Sequence, residues 1–165
     1  MCWFKKVICR NDLIFIFLVF CLFAVFGCSK NYVQLTMFGK ANQNAGGNAV
    51  VVRIYQLQND ANFQRATLQS FWQEERADEQ VLGGELVKKL EILLHPEESR
   101  QQKIEISDET LFIGAAANFF SPDKDGWRQI IPVEKYRGKQ VWFIIESNKI
   151  KITDPKTEKK KQASK

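Results

Sequence analysis

The stretch Val50-Val51-Val52-Arg53-Ile54-Tyr55-Gln56-Leu57 decides the fold. Its β-branched and aromatic side chains suit a pleated backbone, and apolar residues at both odd and even positions predict a central strand largely buried on both faces. Upstream, Val33-Gln34-Leu35-Thr36-Met37-Phe38 predicts a first strand. Between the two lie Gly39, Lys40, Ala41, Asn42, Gln43, Asn44, Ala45, Gly46, Gly47 and Asn48, with no large apolar side chain among them. That segment reads as a loop, longer than the two to five residues that usually close a hairpin.

Downstream the period changes from two to about 3.6. Leu68, Phe71, Trp72 and Glu75 recur at helical spacing through Thr67 to Arg76, with Asn59 or Asp60 as a cap, so a helical insertion is expected over about 60–80. Alternation then resumes at Leu90, Ile92 and Leu94 until Pro96, and again at Lys103-Ile104-Glu105-Ile106. Leu111 to Phe120 reads as a buried run, Trp127 to Ile131 and Val141 to Glu146 as strands, and Lys149-Ile150-Lys151-Ile152 as an edge strand with outward lysines. Trp72, Trp127, Trp142, Phe112, Phe119, Phe120 and Phe143 are assigned to the core. The expectation is a mainly β chain: a β-sandwich of seven to eight strands over residues 33–154 with a short helical insertion.

The N-terminal segment carries a separate message. Lys5, Lys6 and Arg10 precede the uncharged run Leu13 to Gly27, and Val25-Phe26-Gly27-Cys28 closes it. Those 15 residues would reach only ~23 Å as a helix, short of the ~30 Å hydrocarbon core. A positive end, a short apolar run and a small residue before a cysteine predict a lipoprotein signal peptide over 1–27, cleaved before an acylated Cys28. Cys2, Cys9 and Cys21 all lie in the removed segment, so Cys28 would otherwise be an unpaired thiol in an oxidising compartment. Residues 28–32 then form a lipidated tether.

Charge removes one large class of function. The formal net charge is +5, yet residues 28–155 hold 16 Lys and Arg against 17 Asp and Glu. A nucleic-acid face needs clustered cations, and here they are interspersed. The excess sits at the ends, including Lys156, Lys159, Lys160 and Lys161 in a tail over 155–165 expected to be disordered and solvated, with attraction to anionic lipid as its sharper reading.

Catalytic patterns are sparse. His95 is the only histidine, stands before Pro96 and has no nucleophile elbow nearby. No cysteine pair or spaced acidic loop assembles metal ligands, and Asp123-Lys124-Asp125-Gly126 serves as a hairpin turn. No enzyme activity, cofactor or metal is expected.

The strand sequences resemble those of the TssJ (SciN) family of type VI secretion lipoproteins. The resemblance rests on Val50 to Leu57, Phe63 to Ala66, Val81-Leu82-Gly83-Gly84-Glu85-Leu86, Leu94-His95-Pro96, Ile113-Gly114-Ala115-Ala116-Ala117-Asn118-Phe119 and Trp127-Arg128. It implies a transthyretin-like sandwich tethered through Cys28 to the inner leaflet of the outer membrane. It implies as partner the periplasmic C-terminal domain of TssM, which associates with TssL. It also implies contact through the loop between the first two strands, here Gly39 to Asn48, where Asn42, Gln43, Asn44 and Asn48 offer amides and Gly46 and Gly47 allow close approach. Deleting Ala41 to Gly47 is expected to weaken that contact and leave the fold intact. Glu97 stands where the family often has glycine. The alternative function is a lipid-anchored sandwich that binds a small ligand or cell-wall glycan.

Overall fold

The computed structural model describes residues 31–73 and 76–153. Eight strands form two four-stranded sheets. They are β1 (Tyr32–Gly39), β2 (Val50–Leu57), β3 (Leu86–Leu94), β4 (Ser99–Glu105), β5 (Phe112–Ala117), β6 (Arg128–Pro132), β7 (Gln140–Ile145) and β8 (Ile150–Thr153). One sheet has the order β4-β1-β7-β8, the other β3-β2-β5-β6. Every pairing is antiparallel except β1 with β7, which run parallel.

β2 is central because both its neighbours, β3 and β5, bond to it along most of its length. Its two faces then diverge. Val52 and Ile54 belong to one buried core with Leu35 and Met37 of β1 and Val141 and Phe143 of β7. Each such side chain stabilises by roughly 1.5–3 kcal/mol. Gln56 also lies in this layer, and its polarity is satisfied by bonding across the sheets. Its Nε2 donates to the Glu105 carbonyl at 3.0 Å while its Oε1 accepts from the Thr110 hydroxyl at 2.9 Å.

The opposite face of β2 carries Arg53 and Tyr55 toward a helical layer. The helical insertion expected over about 60–80 consists of three short helices, α1 (Ala61–Arg65), α2 (Leu68–Trp72) and α3 (Ala77–Leu82). Local capping separates them: Asn59 Oδ1 accepts from the Ala61 amide before α1, and Thr67 and Ser70 form a reciprocal capping box that starts α2. Phe63 and Phe71 pack on Tyr55 with ring centroids 5.8 and 5.7 Å away, and Trp127 meets Phe71 at 5.3 Å. Gly114 lies under Phe63, where a Cβ would come within 2.9 Å of the ring. A fourth short helix, α4 (Val133–Tyr136), links β6 to β7.

A buried carboxylate locks the layer in place. Asp78 of α3 is fully buried; it accepts from the Tyr55 hydroxyl at 2.7 Å and faces Arg53 at 3.3 Å and Lys89 of β3 at 3.4 Å. Burial, then the hydrogen bond to Asp78, pushes the Tyr55 hydroxyl far above its ordinary pKa, so it remains a donor. Arg53 also stacks 4.0 Å over the Trp72 ring and pairs with Glu91 at 2.7 Å. Arg128 donates to the Phe63 and Ala66 carbonyls at the C-terminal end of α1. The family-like residues Arg53, Tyr55, Phe63, Gly114, Trp127 and Arg128 thus converge on one helix–sheet junction. Their role is architectural.

One expected core run is corrected. Leu111 to Phe120 is not buried throughout: β5 covers only Phe112–Ala117, and the flanking Leu111 and Phe120 are 58% and 74% exposed. At the C-terminal end the strand has already stopped at Ala117, and of the two rings that follow only Phe119 turns into the core.

Candidate functional site

Four connections meet at one end of the sandwich: the β1–β2 loop, the β3–β4 turn, the β5–β6 loop and the β7–β8 turn. Backbone hydrogen bonds tie the first to the β3–β4 and β7–β8 turns, and a side-chain bond ties it to the β5–β6 loop. Gly39 exchanges bonds with the β3–β4 turn, accepting from Glu97 at 2.9 Å and donating to Glu98 at 3.0 Å. The Lys40, Asn44 and Ala45 amides donate to Ile145, Glu146 and Ser147 at 2.8, 3.3 and 2.9 Å. The Asn44 side chain reaches the β5–β6 loop.

The ten residues Gly39 to Asn48 divide by burial. Gly39, Gln43 and Asn44 are buried; Lys40 and Gly47 are half-buried; Ala41, Asn42, Ala45, Gly46 and Asn48 are exposed. Gly39 is glycine for a packing reason, since a Cβ there would lie 2.6 Å from the His95 carbonyl oxygen. Lys40 places its ammonium over the Phe38 ring at 5.4 Å.

Two of the four amide side chains are internal struts. Gln43 Nε2 donates to the Leu94 carbonyl at 2.9 Å and the Asn48 carbonyl at 3.1 Å. Asn44 Nδ2 donates to the Ala49 carbonyl at 2.8 Å, and its Oδ1 accepts from the Phe120 amide at 2.9 Å. Each bond ties a buried side chain to the backbone of another part of this end. Deleting Ala41 to Gly47 would therefore remove both struts along with the exposed loop residues.

The backbone between these struts is unusual. Asn44, Ala45, Gly46 and Gly47 all have positive φ, at 47°, 56°, 108° and 93°. Asn tolerates this region and Gly prefers it, but Ala45 is strained there by ~1 kcal/mol. The result is a compact left-handed turn that pushes the Ala45 methyl outward. Glu97, also at positive φ (59°), occupies the position where the family often has glycine.

Three ion pairs within the chain lie around this end. Asp123 meets Lys149 at 3.1 Å, Asp125 meets Arg128 at 3.1 Å and Glu146 meets Lys151 at 2.8 Å. The Asp123–Gly126 segment is a turn closed by a Gly126 amide bond to the Asp123 carbonyl at 3.0 Å. Among the described residues no cluster of His, Cys, Asp and Glu could hold a metal ion. His95 is exposed, and its amide donates to Glu98 Oε2 at 2.9 Å.

That bond, followed by the ion pair with Arg100, holds the Glu98 carboxyl below its ordinary range. A separate cleft of about 380 Å³ opens between the edge strands β3 and β4, lined by Ile54, Gln56, Lys88, Leu90, Ile104 and their neighbours. No aromatic side chain lines it for a sugar to stack on.

Cys28 and the tail over 155–165 lie outside the described residues. Among the described residues no helix is long and apolar enough to cross a membrane.

The sequence model of the family described as "Type VI secretion lipoprotein, VasD, EvfM, TssJ" matches residues 32–153. The chain belongs to this family. No curated protein sequence matches it. Among solved structures, the type VI lipoprotein TssJ1 from Pseudomonas aeruginosa is similar at 24% identity and a TM-score of 0.66, covering 75% of this chain and 95% of that one. The Serratia marcescens Lip, described as a membrane-bound component of the type VI secretion system, is similar at 17% identity and a TM-score of 0.65, covering 74% and 97%. A chain of the structure described as "T6SS protein TssM C-terminal domain (869-1107) from EAEC" is similar at 22% identity and a TM-score of 0.65, covering 74% and 98%. These likenesses bear out the two-sheet sandwich.

Phe120 is the feature of this end that the sequence reading missed. The signal was the place of the doublet Phe119-Phe120, directly before the turn residues Ser121-Pro122 where a strand run is ending.

Proposed function

We propose that this type VI secretion lipoprotein is cut before Cys28, acylated there, and holds the periplasmic domain of TssM to the outer membrane. TssL joins the complex indirectly, through TssM. One observation carries the reading: β1 begins at Tyr32 next to the tether and ends at Gly39 in the four-loop cluster. At ~3.3 Å per residue its eight residues span roughly 25 Å. The chain therefore enters the sandwich at one end and offers its loops at the other, as a tether between a membrane and a protein partner requires.

Acyl chains at Cys28 supply the membrane side. Each buried CH₂ stabilises association by ~0.8 kcal/mol, and two or more chains make the anchor durable. The partner side is the exposed part of the Gly39 to Asn48 loop, chiefly Ala41, Asn42, Ala45 and Gly46, supported by Gln43 and Asn44 from within.

The test is Cys28→Ser in cells. The variant is expected to fold, to leave the outer-membrane fraction and to abolish type VI secretion. A variant that stays in that fraction and still supports secretion would sink the tether.

A further inference from the structure

We propose that Phe120 is the apolar anchor of the partner-binding end, and that Asn44 is the residue that positions it. This rests on the reading that the loop end binds TssM, and it moves the centre of that contact from the β1–β2 loop to a side chain on the β5–β6 loop.

Phe120 is the most exposed large hydrophobic residue among those described, at 74%. A phenyl ring left in water is unfavourable for a free domain, and it persists here on a backbone that is held firmly. Its amide donates to Asn44 Oδ1 at 2.9 Å, and Asn44 is itself 1% exposed and bonded to the Ala49 carbonyl at 2.8 Å. On the preceding side Phe119 is buried, and the Asn118 amide donates to the Val51 carbonyl at 3.0 Å. On the following side the Asp123 amide donates to the Asn148 carbonyl at 2.9 Å. The ring is thus presented on a fixed segment, and little conformational entropy is lost when a partner closes over it.

The surroundings suit an interface core. Exposed residues of the joined loops include the small or uncharged Ala41, Asn42, Ala45 and Asn118, with Glu97, Lys124 and Asp125 as charged members further along them. The acidic groups nearby, Asp123 and Glu146, are neutralised by Lys149 and Lys151 within the chain. An aromatic anchor among small, uncharged residues with a polar and charged rim is the arrangement in which single side chains carry much of the binding energy. The complementary feature on the partner is an apolar pocket large enough for one ring, bordered by groups that bond to amides. Sequence separation hid this pairing, since Asn44 and Phe120 are 76 positions apart.

Calorimetric titration of the soluble mature protein with the TssM periplasmic domain tests the proposal. Phe120→Ala is expected to weaken binding about thirtyfold, Phe120→Leu to recover part of the loss, and neither to shift the melting temperature. Asn44→Ala is expected to weaken binding as well, and by less in the Phe120→Ala background than in the wild type, because the part of its effect that acts through the ring is then already lost. Phe120→Ala binding within threefold of wild type overturns the inference and leaves the function standing. Absence of binding by the wild-type protein overturns both.

Discussion

Replacing Asp78 with alanine should unlatch the helical layer from the sheet. The carboxylate accepts from the Tyr55 hydroxyl at 2.7 Å and from the Glu79 amide at 3.0 Å, and it faces Arg53 and Lys89 at 3.3 and 3.4 Å with none of its own surface in water. Removing one member of a buried charged network typically costs 3–5 kcal/mol, because the remaining groups keep their desolvation penalty without their partner. Arg53 retains Glu91 and Lys89 retains Glu79, which moderates the loss, so about 3 kcal/mol is expected. With a urea m-value of ~2 kcal/mol/M, the unfolding midpoint should fall by ~1.5 M, followed by tryptophan fluorescence on the soluble mature protein. Tyr55→Phe alone should cost roughly 1–2 kcal/mol, and the double variant less than the sum, because both remove the same hydrogen bond. An Asp78→Ala loss below ~1 kcal/mol, or strict additivity with Tyr55→Phe, would refute the latch.

Two further outcomes follow from the packing and the charges. Gly114→Ala places a methyl 2.9 Å from the Phe63 ring, which Tyr55 and Phe71 confine at 5.8 and 5.6 Å, so an overpacking loss of ~1–3 kcal/mol should appear as a lower melting temperature; an unchanged value would mean that the aromatic cluster yields. For pH, the bond from Lys89 holds the Glu79 carboxyl below its ordinary range, and the bond from the His95 amide does the same for Glu98. Both groups have depressed folded pKa values, so their stabilisation is present above the ordinary carboxylate range near ~4.3 and is lost as pH falls through the lower folded values. The melting temperature should therefore drop in acid, and Glu79→Gln with Glu98→Gln should flatten that drop. Variants that fall as steeply as the wild type would exclude these two carboxylates as its source.

The strands were legible in the sequence because their signal is local. Val50 to Leu57 sits centrally because apolar side chains on both faces of one strand demand cover on both. The helical layer was legible as a change of period, while its division into three needed the Thr67–Ser70 capping box and the Asn59 bond, short-range details within a pattern that a single helix also fits.

The loop was harder to read. An Asn- and Gln-rich segment looks solvated by composition, yet Gln43 and Asn44 are buried because the groups they serve, the Leu94 carbonyl and the Phe120 amide, are 51 and 76 positions away. Only the fold brings those groups within reach. Phe120 went astray for the mirror reason, since an aromatic in an apolar run is usually core and only the end of β5 at Ala117 turns it outward.

The polarity of the molecule is tested most directly by photo-crosslinking in secreting cells, with a reactive side chain placed either at Ala45 in the loop cluster or at Lys135 of α4, near the end where the chain enters. Ala45 is expected to yield a covalent adduct with TssM, and Lys135 none. An adduct from Lys135 with none from Ala45 would contradict a loop-end contact and, with it, the tether reaching from Cys28 to TssM.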